Sequence, residues 1–478
     1  MSFLQQAGAI AVLPEIVLAV IAMTLLMVGV YRRGDNMAEI TTTGAVFAIA
    51  IVSMLTMFST DGQSFGGAFV VDGFARVMKL FTLFSAAVSL ILSVQFMKRI
   101  NMARFEYSIL VLLAVCGMMM MISANSLIAL YMGLELQSLA LYVVAAIDRD
   151  NSRSSEAGLK YFVLGALSSG MLLYGASLIY GFTGSVQFGA IAQVITSSGT
   201  SIGVIFGIVF VVAGLAFKIS AVPFHMWTPD VYEGAPTPVT AFFASAPKLA
   251  AMALFTRVMM SPFGPATHQW QQVIVFIAIA SMALSAFGAI GQTNIKRLLA
   301  YSSIGHMGFA LVGLAAGTQQ GVSGVAIYML IYLLTTLGVF ACVIAMRRNG
   351  RPVETIADLA GLSRNDKGLA FMFALLMFSL AGVPPVAGFF AKLFVFMAAV
   401  QAGLYWLAIL GVLASVVAAY YYLRIVKLIY FDEPAAAFDR PDTEVKIVAY
   451  AGGIFALLFV FYASPLLNLA DVAAKSFP

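Results

Sequence analysis

The chain has 478 residues, of which 62% are hydrophobic and 10% charged, whereas soluble proteins average about 45–50% apolar and about 25% charged residues. One soluble core rarely exceeds about 250–300 residues, and the 21 acidic and 26 basic side chains are too few to cover two such cores. The composition therefore excludes a water-soluble fold. The net charge of +5 is not concentrated in a basic run, so no nucleic-acid partner is expected.

Several kinds of cofactor site are also excluded. Cys116 and Cys342 each lie inside an apolar run, so the chain has neither a disulfide framework nor the thiolates of an iron–sulfur cluster. No two glycines stand two positions apart, which excludes the G-x-G-x-x-G dinucleotide motif, and no G-x-x-x-x-G-K-[ST] motif occurs. We expect no metal or other cofactor in this chain.

Apolar runs long enough to cross a bilayer recur along the whole chain. A helix needs about 20 such residues to span ~30 Å of hydrocarbon. The first run, about residues 9–31, is too long for a signal-peptide core and lacks a basic segment before it. The sequence predicts an all-α integral membrane protein with fourteen transmembrane helices. Their centres lie near residues 20, 48, 85, 115, 136, 170, 213, 248, 281, 307, 334, 384, 417 and 457.

Basic residues are distributed unequally between the predicted loops. Lysine and arginine are retained on the cytoplasmic side during insertion. Nineteen of them follow odd-numbered helices and four lie on the opposite side, so both termini are predicted to be periplasmic. The four are Arg76, Lys79, Arg257 and Lys475. The three remaining basic residues are lysines within apolar spans.

Four ionisable side chains are predicted to lie deep in the bilayer: Glu135, Lys218, Lys248 and Lys392. An ionised group at the bilayer centre costs roughly 2.5–3.5 kcal/mol, so these groups need compensation. They could form ion pairs that fix helix register, or the lysines could reach the interface. Because they lie near the middle of their runs, we favour an ion path.

Each intramembrane lysine also lies near a helix-breaking proline, namely Pro223, Pro247 or the pair at 384–385. A proline in a helix removes the hydrogen bond to the carbonyl four residues earlier, and a freed carbonyl could bind an ammonium group. Broken helices at membrane depth line hydrated cavities and, in transporters, ion paths, although a single proline can simply bend a helix. The carbonyls expected to lose partners are those of Ile219, Phe243, Leu380 and Ala381.

A narrow polar stripe surrounds Glu135 on the fifth predicted helix. At helical spacing Tyr131, Glu135, Ser138 and Tyr142 share one face, which we expect to point inward, towards water or an opposite charge.

Three further titratable groups are candidates for the same path. His306 follows Ser302 and Ser303 by one turn and could join a file of hydroxyl groups and water. His225 would lie on the same side as the lysine of helix seven if that helix were continuous. Either histidine could instead be a buried core residue. Glu156, after two serines, is also typical of a first-turn acid that the helix dipole favours.

A nine-residue segment recurs with an offset of 161 residues. The segment LAFKISAVP at 215–223 reappears as LMFSLAGVP at 376–384, so predicted helices seven and twelve match. Because these helices cross the bilayer in opposite directions, the match predicts two inverted five-helix repeats that contain broken helices. The predicted division is helices 1–3 in 1–105, the repeats in 106–261 and 262–430, and helix 14 in 431–478.

Four stretches together resemble a known family. GLELQSL at 133–139, EAGLKYF at 156–162, PFHMWTPDVYEGAPTP at 223–238 and NIKRLLAYSSIGH at 294–306 are similar to the antiporter-like membrane subunits of respiratory NADH:quinone oxidoreductase, complex I. The resemblance extends over essentially all fourteen predicted helices, and the stretch 223–238 is its most specific part.

The resemblance implies a proton path. Glu135 would be the glutamate of helix five, Lys218 its lysine partner on helix seven, Lys248 the central lysine and Lys392 the lysine of helix twelve. The accessory positions of the path would be Glu156, His225 and His306. The implied function is proton translocation across a bacterial inner membrane. NADH, FMN, iron–sulfur clusters and quinone would be handled by partner subunits.

The family contains three such subunit types. Lys392, which is a glutamate in the middle-sized type, and an end about ten residues after helix fourteen favour type N. The implied partners are the lipid bilayer and the other membrane subunits, including the other antiporter-like ones. The alternatives are a multisubunit cation/proton antiporter, which has relatives of the same fold, and a non-pumping scaffold whose buried charges only join helices.

Overall fold

The computed structural model describes residues 9–32, 34 and 36–477. Arg33, one of the cytoplasmic charges counted above, and the two chain ends, at residues 1–8 and 478, lie outside the described residues. Within the described part, helices predominate and the strands form two short antiparallel hairpins.

The first part of the chain, up to residue 260, contains eleven α-helices and one hairpin. The helices are α1 (Leu13–Tyr31), α2 (Met37–Met57), α3 (Gly73–Arg99), α4 (Phe105–Ile122), α5 (Leu127–Ala145), α6 (Ser152–Thr183), α7 (Phe188–Ser198), α8 (Ile202–Ile219), α9 (Trp227–Gly234), α10 (Thr237–Ala244) and α11 (Ala246–Met260). The hairpin pairs β1 (Gly62–Ser64) with β2 (Phe69–Val71).

The second part contains nine α-helices and the other hairpin. The helices are α12 (Thr267–Gly288), α13 (Ile295–Ala315), α14 (Gln319–Ala345), α15 (Leu362–Asn365), α16 (Lys367–Ala381), α17 (Ala387–Gln401), α18 (Tyr405–Phe431), α19 (Thr443–Leu458) and α20 (Ala463–Ala474). The hairpin pairs β3 (Arg347–Arg348) with β4 (Arg351–Pro352). Short 3-10 helices cover Ala9–Val12, Gly264–Ala266 and Ile356–Leu359.

The helices confirm a polytopic membrane protein. Among the described residues, twelve helical spans are long and apolar enough to cross a bilayer, with α10 and α11 counted as one span. The pair α19 and α20, bent by 87°, adds a thirteenth if it is one span. The helix predicted near residue 384 consists of α16 and α17, each with 15 residues and too short to qualify alone. The count of fourteen stays a prediction.

The spans differ greatly in burial. In the most apolar window of each, α10–α11 is 100% buried, α13 and α14 are 94% buried, and the first span is 28% buried. The outer helices therefore present apolar side chains to lipid, while α11 and α13, which carry Lys248 and His306, lie at the centre. Lys248, at 1% exposure, and His306, at 7%, are therefore shielded from lipid by protein.

The two broken helices end in the same way. Helix α8 stops at Ile219 because Ser220 adopts a left-handed conformation with φ 63°, and α16 stops at Ala381 because Gly382 does so with φ 84°. Both helices thus end before the nearby proline and are not kinked by it. Ser220 and Gly382 are 162 positions apart, whereas the matching segments 215–223 and 376–384 are offset by 161. The inverted relation of the two halves stays a prediction.

Candidate functional site

Lys218 of α8 is held by hydroxyl groups of α5. Its side chain is 6% exposed. The ammonium Nζ lies 2.6 Å from Ser138 Oγ and 3.5 Å from Tyr142 OH, and it faces the rings of Tyr142 and Phe217. The prediction that the polar stripe of α5 points inward is confirmed at Ser138 and Tyr142.

Glu135 lies one turn before Ser138 on the same helix and is half-buried. It forms no direct ion pair with Lys218, whose Nζ is hydrogen-bonded to Ser138 Oγ. Among the described residues, Glu135 Oε1 has no hydrogen-bond partner. The structure therefore brings the helix of Glu135 against Lys218 but leaves the carboxylate free of a fixed cation.

Lys248 closes the end of the first broken helix. Its side chain is 1% exposed, and Nζ donates hydrogen bonds to the Ile219 carbonyl at 2.9 Å and to Ser220 Oγ. The Trp227 ring lies 5.2 Å from the same ammonium. The predicted use of a freed carbonyl is confirmed at Ile219. The left-handed conformation of Ser220, rare for a residue with a side chain, places its hydroxyl against the lysine.

Lys392 closes the second broken helix in the same manner. Its Nζ donates to the carbonyls of Ala381 at 2.7 Å and Leu380 at 3.4 Å, and to Ser415 Oγ at 2.8 Å. The prediction for these two carbonyls is also confirmed. Because a helix C-terminus carries partial negative charge, each helix end is a favourable site for an ammonium group. A Cβ at Gly382 would lie 3.0 Å from Nζ, so a glycine lets the lysine approach.

His306 of α13 is surrounded by hydroxyl groups. Nδ1 lies 2.6 Å from Tyr328 OH, and Nε2 lies 3.2 Å from Tyr422 OH. Tyr422 OH is also hydrogen-bonded to Ser302 Oγ. Ser302 thus reaches the histidine through Tyr422, and the predicted file of hydroxyl groups and water stays a prediction. Sequence reasoning missed both tyrosines, which belong to α14 and α18. The available signal was the presence of tyrosines in otherwise apolar helices.

Phe309 connects the histidine with the last lysine of the series. Its ring lies 4.7 Å below Lys392 Nζ and meets the His306 ring edge-on with centroids 6.3 Å apart. An aromatic ring attracts a cation to its face, so Phe309 favours the ammonium without supplying a charge.

His225 lies in the break between α8 and α9 and is half-buried. Among the described residues, its Nδ1 has no hydrogen-bond partner. Because α8 ends at Ile219, the spacing that would place His225 on the side of Lys218 in a continuous helix does not apply. The structure therefore gives His225 no direct contact with either neighbouring lysine.

Glu156 belongs to a charge cluster away from the buried lysines. It is 62% exposed and pairs with Lys160 at 2.7 Å. Lys160 also pairs with Asp230 at 2.7 Å, and Arg297 pairs with Asp230 at 2.8 Å and with Glu233 at 3.0 Å. The cluster lines an open pocket of about 220 Å³. Burial raises the pKa of Asp230, but the hydrogen bonds and charges of Lys160 and Arg297 outweigh burial. The pKa is therefore below its ordinary value, and the carboxyl stays ionised.

Lys79 was expected in a loop, but it lies within α3 and is 3% exposed. It pairs with Glu15 of α1 at 2.6 Å, and Glu15 is equally buried. The expectation for Lys79 was wrong because α3 already begins at Gly73, so Lys79 lies inside the helix and not in the loop before it. This buried pair is an example of the structural alternative, an ion pair that joins two helices and fixes their register.

Among the described residues, no group of three or more His, Cys, Asp or Glu side chains could hold a metal ion. The arrangement offers lysines, hydroxyls and a histidine, which can pass protons, and backbone carbonyls, which accept hydrogen bonds from an ammonium group.

The chain is similar to proteins of one known family. The family model for the transmembrane part of NADH:quinone oxidoreductase and Mrp antiporters matches residues 124–418. NADH-quinone oxidoreductase subunit N from Parvibaculum lavamentivorans is 63% identical over 97% of this chain and 96% of its own length. Subunit N 1 of the same enzyme from Rhizobium meliloti is 58% identical over 97% of each.

Solved structures show the same fold. A chain of respiratory complex I from Thermus thermophilus, solved with bound aureothin, superposes with a TM-score of 0.82 at 31% identity, covering 96% of this chain and 99% of that one. A chain of the Mrp complex from Dietzia sp. gives 0.83 at 22% identity, covering 98% and 97%, which shows a shared fold alone. The chain belongs to the NADH:quinone oxidoreductase/Mrp antiporter transmembrane family, among the N-type membrane subunits of NADH-quinone oxidoreductase.

Proposed function

We propose that the chain, as a membrane subunit of proton-translocating NADH-quinone oxidoreductase, carries protons along the series Glu135, Lys218, Lys248, His306 and Lys392. One observation carries the proposal. Among the described residues, no carboxylate forms an ion pair with any of the three lysines, although all three are buried. Their partners are hydroxyls and backbone carbonyls.

Uncharged partners suit a group that gains and loses a proton. A hydroxyl can donate to a neutral amine or accept from an ammonium group, so Lys218 and Ser138 stay hydrogen-bonded in both states. Lys79, in contrast, would leave the buried carboxylate of Glu15 uncompensated if it lost its proton. The contrast argues against a purely structural role for Lys218, Lys248 and Lys392.

Glu135 is placed to control the first lysine of the series. Its carboxylate is near Lys218 but not bonded to it, so a change in the charge or position of Glu135 alters the electrostatic preference of Lys218 for a proton. Each charge moved outward against 100 mV costs about 2.3 kcal/mol. That free energy has to come from the redox reaction in partner subunits, and we assign no redox cofactor to this chain.

The test uses the assembled complex in sealed membrane vesicles, with Lys218→Ala and Glu135→Ala as variants. Proton uptake per NADH oxidised should fall in both. The control is Lys367→Ala, which removes an exposed lysine at the start of α16 and should leave the ratio unchanged. Normal pumping by assembled Lys218→Ala complexes would favour a scaffold, and sodium-dependent transport would favour a cation/proton antiporter.

We also propose that the chain lies in the bacterial inner membrane with both termini on the periplasmic side. The support is the distribution of basic residues: nineteen follow odd-numbered predicted helices and four were counted on the opposite side, of which Lys79 lies inside α3. Glu156, which pairs with Lys160, then lies on the cytoplasmic side, where a pocket open to water could collect protons.

A further inference from the structure

His306 has a tyrosine hydroxyl at each ring nitrogen. Tyr328 approaches Nδ1 from α14 and Tyr422 approaches Nε2 from α18. His306 is 7% exposed and each tyrosine is 1% exposed. The histidine is therefore fixed on both sides by groups that carry one proton each.

Counting donors determines which nitrogen holds the proton. A neutral imidazole has one N–H donor and one acceptor nitrogen, and a tyrosine hydroxyl has one proton to donate. Among the described residues, the only hydrogen-bond partner of Tyr328 OH is His306. Because a buried hydroxyl proton without an acceptor is unfavourable, Tyr328 donates to Nδ1.

The other side of the ring is compatible with this assignment. Tyr422 OH has a second partner, Ser302 Oγ, so it can accept from Nε2–H and donate to the serine. The lengths of the two hydrogen bonds to His306 also agree with this assignment. A contact of 2.6 Å is typical of a hydroxyl donor, and 3.2 Å lies within the range of N–H···O bonds.

We propose that Tyr328 is a positioning residue that holds neutral His306 with its proton on Nε2. The inference rests on the proposed function, in which His306 passes protons between lysines. In this tautomer Tyr328 donates to His306, His306 donates to Tyr422, and Tyr422 donates to Ser302. A proton delivered by water to Tyr328 releases the tyrosine's own proton to Nδ1. The Nε2 proton then moves to Tyr422, Tyr422 gives its own proton to Ser302, and Ser302 releases its own proton to water. All four groups end neutral, and the ring holds its proton on Nδ1 until the resting tautomer is restored.

Tyr332 offers a matched comparison on the same helix. It lies one turn beyond Tyr328, and its ring packs against His306 with centroids 5.0 Å apart. Its hydroxyl, however, donates to Ser303 Oγ at 2.9 Å and does not reach a ring nitrogen. Tyr332→Phe thus removes a buried hydroxyl beside the histidine without changing its hydrogen bonds.

The test is ¹⁵N solid-state NMR of the assembled complex in membranes with labelled histidine. Subtracting the spectrum of a His306→Gln complex isolates the two nitrogens of His306. The wild type should show a protonated Nε2 and an unprotonated Nδ1. Tyr328→Phe should add a population protonated on Nδ1, whereas Tyr332→Phe should keep the wild-type pattern. A wild-type signal from protonated Nδ1, or an unchanged pattern in Tyr328→Phe, would overturn the inference.

A pumping measurement separates this inference from the proposed function. Tyr328→Phe should lower the number of protons pumped per NADH oxidised. If His306→Gln abolishes pumping while Tyr328→Phe pumps normally and keeps the wild-type tautomer, the role of Tyr328 is overturned and the proton path stands. If His306→Gln pumps normally, both the path through His306 and the role of Tyr328 are overturned.

Discussion

At the scale of single residues, Lys79 and Lys218 have almost the same exposure, 3% and 6%, but opposite surroundings. Lys79 pairs with Glu15, whereas the partners of Lys218 in the described part of the chain are hydroxyls and aromatic rings. Removing one partner of a buried ion pair costs about 3–5 kcal/mol. Burial alone therefore does not identify a proton carrier; the chemistry of the partner does.

Ser138→Ala tests the hydroxyl that holds Lys218. The substitution removes the partner 2.6 Å from Nζ and leaves Tyr142 at 3.5 Å. A hydrogen bond to a charged group contributes about 1.5–3 kcal/mol, so we expect pumping per NADH to fall while the complex still assembles. Ser89→Ala is the control, because Ser89 is a buried serine of α3 whose hydroxyl has no hydrogen-bond partner among the described residues. Equal pumping by the two variants would contradict the role of Ser138.

At the scale of elements, the repeated feature is a helix that stops inside the protein with its last carbonyls bound by a lysine from another helix. Lys248 binds Ile219 of α8, and Lys392 binds Leu380 and Ala381 of α16. The sequence indicated both breaks through their prolines. It did not indicate that the helices stop before the prolines, because left-handed Ser220 and Gly382 end them.

Lys392→Met is expected to loosen the end of α16. It removes the donor to two buried carbonyls, at about 1–3 kcal/mol for each unsatisfied group. Hydrogen–deuterium exchange of the amides between Gly382 and Phe390 should accelerate in the variant complex. Lys367→Met, at the exposed start of the same helix, should leave this exchange unchanged. Identical exchange in both variants would mean that the lysine does not hold the helix end.

Asp72 joins α3 to α11 and should make stability depend on pH. It caps α3 through Ala75 N–H and binds both terminal nitrogens of Arg257 at 2.8 and 2.9 Å. Burial raises the pKa of Asp72, but the charge and hydrogen bonds of Arg257, with smaller contributions from Ala75 and Lys79, lower it below the ordinary value. The stabilisation is therefore present above the unfolded-state pKa of about 3.9 and is lost as pH falls through the lower folded-state pKa.

Asp72→Asn keeps a good helix cap and removes the charge. At pH 7 we expect the variant chain to lose about 3 kcal/mol of unfolding free energy, as for a broken buried pair. The difference from the wild type should shrink as pH is lowered below about 4. Thermal unfolding in detergent across this pH range measures it. A difference that stays constant at low pH would contradict the assignment.

At the scale of the whole molecule, overall shape does not distinguish the chain from its relatives, because complex I and Mrp subunits superpose on it equally well. Sequence identity makes the distinction, at 31% with the complex I chain and 22% with the Mrp chain. The family model begins at residue 124, so it does not include α1 to α4. Lys79 of α3 pairs with Glu15 of α1, and Asp72 at the start of α3 pairs with Arg257 of α11, so α1 and α3 are joined to the matched region through Asp72.

The predicted orientation can be tested with single cysteines in the two hairpins. Both native cysteines are buried, so background labelling by a membrane-impermeant thiol reagent should be low. Gln63→Cys in β1 should react from the periplasmic side, and Arg351→Cys in β4 only in inverted vesicles; both positions are exposed. The reverse pattern would invert the proposed topology.

The sequence by itself determined the class of fold and most of the spans, because lipid allows a helix only where about 20 apolar residues follow one another. It also singled out Glu135 and three lysines, since charges in such runs are costly and therefore conspicuous. Only the tertiary structure decided what these groups touch. Ser138 is 80 residues from Lys218 and Tyr422 is 116 residues from His306. Helix packing brings such partners together, and no local sequence pattern predicts which residues will meet.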